Sequence, residues 1–426
     1  MQAIFSTMVV SLLFGVFLSG LYIYMGAPDS IMGYIPILPS IAGIFLIFTG
    51  GLTERVKNVK KLVLILNLLS KTLLFSVVWM PLLFSWDKAL FIMLLLTFLG
   101  LSINSVMGIM INSWFIDTID ISIRGRYMGA RQVFTLVVSA TLPVVAGKFL
   151  DGFTDRYFAF CIIFSVAWIF SFFESASLYQ ITSPPVHEST GKKIVFKQLF
   201  SIPLQNKSFM KFMLLQIVFH LIWFTSMTFA QVYEIRYMEL SYTYLTAMGS
   251  LGAVIQMMLY PVWGKFMDKY GSAIIMRISM ILFMIHSLLY FFMLKGNAHI
   301  LILFLNINSA ILSPAWILST FNERFSMIPR DGRKVYDSFF TTVLAITILL
   351  APIIGNSIRG NVINWNIKFL PFPEFKILFL LTFLLLLSLN IVLFIKSKKQ
   401  TNLVTEKELL GNAVKRLSKS SNPFQK

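Results

Sequence analysis

A histidine stands inside an apolar run, "LLQIVFHLIWF" at 214–224, four residues after Gln216. At helical spacing Gln216 and His220 share one face. An imidazole there can titrate near neutral pH, and an amide beside it can bind polar cargo or hold a neighbouring helix. Other amides break similar runs: Asn104 and Asn112 flank Gly108, and Asn306, Asn308 and Ser309 precede Pro314. A second set of groups is charged and sits between runs. Glu54 is followed by Arg55, Asp117 by Arg124 seven residues on, Asp268 by Lys269, and Glu323 by Arg330, again seven on. Acid–base groups at helix ends make charge-assisted contacts that hold and release. Catalytic patterns are missing: there is no H-E-x-x-H, G-x-S-x-G or P-loop, and the lone cysteine, Cys161, forms neither a disulfide within the chain nor a metal cluster. No enzyme, cofactor or metal site is expected.

What positions these groups is a set of long apolar segments. Of 426 residues only 13% are charged, and 42 are Phe, too few charges to cover a soluble surface. A spanning helix needs about 20 apolar residues. Twelve runs meet that need, near 4–25, 31–51, 61–84, 88–115, 128–150, 156–179, 209–232, 242–264, 273–294, 298–321, 336–358 and 372–395. The class is an all-α integral membrane protein with about twelve transmembrane helices. The first run lacks a basic start and leads directly into another, so it is read as a retained span rather than a secretory signal. With both termini in the cytoplasm, 27 of the 36 Lys and Arg fall on the cytoplasmic side, 8 fall outside, and Lys71 lies within a span. That is the bias of a multi-pass protein of the cell (inner) membrane. The net charge of +18 is dispersed among short loops, which argues against nucleic acid as a partner.

Polar residues 180–208 separate two sets of six spans, 1–179 and 209–395, and 396–426 form a basic cytoplasmic tail. The connector mixes Lys193, Lys197, Lys207 and Lys211 with Val195, Phe196, Leu199, Phe200 and Phe209, a pattern open to an interfacial helix or a solvated linker. The sets repeat one another. "INS" occurs at 103–105 and 307–309, the acid-x6-Arg loops correspond, and Pro143 with Gly147 echoes Pro352 with Gly355. Internal repetition of this kind builds many secondary transporters.

Between the eighth and ninth runs the chain reads "GKFMDKYGSAIIMR", with Gly264, Asp268, Lys269, Gly271 and Arg277. This resembles the G-x-x-x-D-R/K-x-G loop signature of the major facilitator superfamily. "GGLTERVK", with Gly50, Glu54 and Arg55, is a related loop in the first half, with Glu for Asp and no second Gly. The loops around Asp117, Arg124, Gly125 and Arg126, and around Glu323 and Arg330, are similar to those of the superfamily's sugar porters, whose other signatures are missing here. The resemblance covers the whole membrane region. It implies two six-helix halves that rock about a central site, with these loop residues as a cytoplasmic latch.

It also implies that the first, fourth, seventh and tenth spans line the cavity. Candidates for binding solute or protons are therefore His220, Gln216, Asn104, Asn112, Asn306 and Asn308, each open to a helix-gluing role as well. The third and ninth spans would be peripheral, which ranks Lys71 and His286 lower, and Glu174 near the end of the sixth reads as a snorkelling or loop-pairing residue. No carboxylate sits mid-span in the four lining helices. The expected function is secondary-active transport of a small organic solute by a monomer in the lipid bilayer, with protons as a candidate coupling ion and export mildly preferred on the partial likeness of the Pro143 and Pro352 stretches to an antiporter motif. Uptake, facilitated diffusion, or a receptor or assembly role on the same fold are the alternatives.

Overall fold

The computed structural model describes residues 1–42, 58–118, 121–181, 196–328, 333–365 and 367–395, and no strand occurs among them. Eleven helices among the described residues are long and apolar enough to cross a membrane. They correspond to the expected runs, which are numbered below as spans one to twelve, except that the second is described only as far as Ala42, in the short helices Asp29–Met32 and Leu38–Ala42. Several helices overrun their apolar stretch. The fourth covers Trp86–Thr118, the fifth Ile121–Gly152 and the eleventh Arg333–Asn364. Good helix formers among the charged loop residues continue the helix beyond the apolar stretch.

Polar side chains set several helix starts. Asn206 accepts from Phe209 N at 3.1 Å and begins the seventh helix at Lys207, and Asp155 and Ser241 cap the sixth and eighth helices in the same way. The end of the connector folds as a helix, Phe196–Gln205.

Two spans are broken. The first consists of Gln2–Leu13 and Val16–Tyr24, separated by Phe14 in extended backbone and Gly15 at φ 61°, ψ −127°. Only glycine takes that backbone without strain. The seventh ends its α-helix at Met227 and continues through Ala230–Val232 into a π-helical turn, Tyr233–Tyr237. Wide turns of this kind recur at functional positions.

The first span packs on the fifth and sixth, and the third on the fourth and sixth. The tenth span packs against the eighth and ninth, and the seventh against the eleventh. The two sets meet where the fifth span lies along the eighth and where the eleventh crosses the start of the second. One end of the bundle is here named for Asp29, the other for Asp268. Towards the Asp29 end a single apolar core unites both sets, with Phe17, Leu150 and Phe160 of the first six spans against Phe229, Tyr233, Leu245 and Phe375 of the last six. Among the described residues the core divides towards the Asp268 end. Val63, Met107, Trp114 and Leu178 pack among the first six spans, while Phe209, Met280, Trp316 and Phe340 pack among the last six.

Candidate functional site

Asp29 follows Pro28, whose extended backbone opens a one-turn helix, and it gathers three groups from the last six spans. Arg236 Nη1 donates to Asp29 Oδ1, Tyr237 Oη donates to Oδ2 at 2.5 Å, and Arg359 Nη2 donates to Oδ2 at 2.8 Å. Arg236 also donates to the Ala27 carbonyl at 2.7 Å. The Arg359 guanidinium is 4.9 Å from the Phe229 ring centre and 4.3 Å from that of Phe375, so aromatic faces replace part of its water. A second carboxylate works nearby: Asp151 of the fifth span accepts from the backbone of Tyr242 at 3.2 Å and of Thr243 at 2.6 Å, and from Thr243 Oγ1 at 2.6 Å. An acid from one set thus caps a helix of the other. Asn356 bonded to the Ser30 carbonyl at 2.8 Å and Ser19 bonded to Gln231 complete the seam.

None of these residues was singled out by sequence reasoning. Asp29 and Arg359 are 330 positions apart, and a charge in a short loop reads as a topology marker unless its partner is known. The one available signal was the tight Ala27-Pro28-Asp29 turn between two runs.

The expected cargo residues separate. His220 is half-buried, with Nδ1 at 2.8 Å from the Gln216 carbonyl and its ring 6.0 Å from those of Trp316 and Phe224. The Gln216 side chain is fully buried and points to Met276 of the ninth span, its Nε2 3.9 Å from the sulfur and its Oε1 without a partner. Asn306 donates to the Ile302 carbonyl of its own helix at 2.9 Å. The side chain of Asn112 lies outside the described residues.

The repeated "INS" amides do the same thing twice. Asn104 Oδ1 accepts from Lys71 Nζ at 2.5 Å, and Asn308 Nδ2 lies 3.3 Å from His286 Nδ1 and donates to the Leu282 carbonyl at 3.0 Å. Each amide is therefore held by a buried base on the neighbouring third or ninth span. Glu174 corrects an expectation. It neither snorkels nor pairs with a loop but is fully buried, its Oε1 accepting from Gln2 Nε2 at 3.2 Å, because the first span's opening turn covers it.

At the other end, Gly271 takes φ 83° between the eighth helix, which ends at Tyr270, and the ninth, which begins at Ser272. Glu323 accepts from Ser272 Oγ at 2.6 Å, tying the tenth span to that junction. Lys269 lies over the Tyr270 ring at 5.0 Å, and Gly264 is inside the eighth helix with open space around it. Asp268 and Arg277 make no hydrogen bond or ion pair among the described residues. The tenth-to-eleventh ion pair is formed by Arg324 with Asp337 at 2.9 Å. Gly50, Glu54, Arg55 and Arg330 lie outside the described residues, as do the side chains of Asp117, Arg124 and Arg126; Gly125 is within the fifth helix.

Among the described residues, eleven apolar helices around a seam clasped at one end define a multi-pass helical membrane protein. The sequence matches the Major Facilitator Superfamily over residues 1–352, and the chain belongs to that superfamily. The fold is similar to that of a mutant of the nucleoside transporter NupG, at TM-score 0.72 and 12% identity over 92% of this chain and 97% of that one. It is also similar to an inward-facing, occupied bacterial homolog of the human lysosomal transporter Spinster, at TM-score 0.65 and 13% identity over 93% and 94% of the two chains. The xylose transporter XylE from E. coli, in a partially occluded inward-open conformation, matches at TM-score 0.58 and 10% identity over 92% and 95%. No curated protein matches the chain in sequence.

Proposed function

We propose that this member of the superfamily is a secondary-active transporter of a small organic solute, built of two six-helix halves, with the Asp29 end facing outside and both termini in the cytoplasm of the cell membrane. The observation that carries the reading is Asp29, one carboxylate bound to Arg236, Tyr237 and Arg359 across the seam, while the apolar core divides at the opposite end. A gate closed on one side and a split core on the other are what an alternating-access machine shows with its cavity open to the cytoplasm. Its clasp is made of a few charge-assisted bonds, each contributing about 1.5–3 kcal/mol, so it can bias a state without trapping it. His220, whose Nδ1 is taken up by the Gln216 carbonyl, stands among the rings of Phe224 and Trp316, surroundings suited to a flat organic solute.

The gate is tested by distance. Spin labels at the exposed positions of Phe158 and Phe292, on opposite sides of the seam, report opening of the Asp29 end in a background with Cys161 replaced by Ser. Asp29→Asn is expected to shift the two states by about 3 kcal/mol, on the order of a hundredfold. An unchanged distance distribution would refute the gate. In the opposite state Asp268, unpartnered among the described residues, closes the cytoplasmic latch with the neighbouring loops. Asp268→Asn should accordingly slow solute flux in proteoliposomes while moving the unfolding free energy by less than about 0.5 kcal/mol; full flux removes Asp268 from the cycle.

A further inference from the structure

Glu174, Lys71, Asn67 and Gln2 converge where the first, third and sixth spans pack, and each is at most 7% exposed. Glu174 Oε1 accepts from Gln2, and Asn67 Nδ2 donates to Ser175 Oγ at 2.9 Å, one residue along. The remaining acceptors have nothing: Glu174 Oε2, Asn67 Oδ1 and Gln2 Oε1 are all buried without a hydrogen-bond partner. Lys71 does not fill the gap. Its ammonium turns to Asn104 and makes no ion pair with Glu174, although the two charges lie within electrostatic reach. Three acceptors with no donor bonded to them are a costly arrangement, about 1–3 kcal/mol for each orphan.

We infer that Glu174 is a proton-binding site, with Lys71 as its alternative partner. A proton delivered by water from the Asp268 end forms an O–H bond at Oε2, neutralises the carboxylate and supplies the donor the cluster lacks. Lys71 then stays on Asn104, the arrangement seen here. When the proton leaves, the carboxylate regains its charge and draws Lys71 away from the fourth span. Protonation at the sixth span is thereby read out at Asn104. The use of this switch to drive transport rests on the function proposed above, whereas the site itself does not.

The surroundings leave few competitors. Facing Glu174, the third span carries Lys71; Lys60, at the start of that span, donates to the Ile181 carbonyl at 2.8 Å. Beyond Met1 the first span has no ionisable group but Tyr22 and Tyr24 near its far end. The fifth span, which also packs on the sixth, has Lys148 and Asp151 at the Asp29 end, where Asp151 is taken up by Tyr242 and Thr243, and Arg131, which is itself partnered; the side chains of its Arg124, Arg126 and Tyr127 lie outside the described residues. The matching place among the last six spans argues against a merely structural charge. There Asn308 is held by His286, and the twelfth span contributes Asn390, bonded to the sulfur of Met284 at 3.2 Å, so no carboxylate is required to build the junction.

Infrared difference spectra of the reconstituted full chain, stepped through pH without any solute, test the site apart from transport. A carboxylic-acid carbonyl band from a buried acid should appear as pH falls, disappear in Glu174→Gln, and survive Glu234→Gln, which removes a half-buried carboxyl bonded to Tyr290. Glu174→Asp keeps the carboxyl and should move the band, which decides the matter if the Gln variant does not fold. No band at any pH, a band that survives Glu174→Gln, or one unmoved in Glu174→Asp overturns the proposal. Solute flux measured alongside separates the two ideas, since a titrating band without flux removes the transporter and keeps the proton site.

Discussion

Lys71 meets Asn104 at 2.5 Å among the first six spans, and His286 stands 3.3 Å from Asn308 among the last six, each pair bridging neighbouring helices at the second residue of a repeated triplet. The geometry is shared, but the chemistry is not. The first pair brings an ammonium with Glu174 within electrostatic reach; the second is an imidazole with an amide, and the adjoining twelfth span supplies Asn390. A base-to-amide clasp is therefore what the architecture asks for, and the charge is an addition. Burying two ions costs several kcal/mol each before their attraction is counted, so this addition is poor evidence for stability. It points to use.

The sharpest way to break the comparison is to remove one base from each side. Lys71→Met leaves Glu174 facing no cation and should cost about 3–5 kcal/mol of unfolding free energy in detergent at high pH, shrinking as the pH falls and the carboxyl takes a proton. His286→Leu removes only a neutral bond and should cost about 1 kcal/mol at any pH. Equal losses would mean that both sides are structural in the same sense. Next in size, Lys71→Met combined with Glu174→Leu should recover more than half of the single loss, as replacing both members of a buried pair usually does; strict additivity contradicts the coupling. Smallest is the amide itself. Asn104→Leu strips the ammonium of the acceptor it holds in this structure, an effect of about 2 kcal/mol, whereas Asn308→Leu should cost about half that. Chemical denaturation followed by tryptophan fluorescence ranks the two.

How much of this was legible can be argued from the same residues. Hydropathy found the spans because each apolar run must match the bilayer, and the junction at Gly271 was visible because a glycine after a charged pair marks a turn. The triplet repeat was visible too, but as a candidate cargo site, since a sequence places Asn104 on a helix without saying which neighbour it faces. Glu174 was misread for a related reason. Its depth along the span was right, and the Gln2 side chain that buries it lies 172 positions earlier. The Asp29 cluster depends on partners 207 and 330 positions away, a distance no local pattern spans.

The break at Gly15 has a mechanical meaning. It divides the first span into a lower segment that holds Glu174 through Gln2 and an upper segment that joins the seventh span through Ser19 and Gln231. A continuous rod would force those two attachments to turn together. With a joint between them, the lower segment can follow the proton site while the upper one stays locked to the roof, so the first span works as a coupling with slack rather than as a strut.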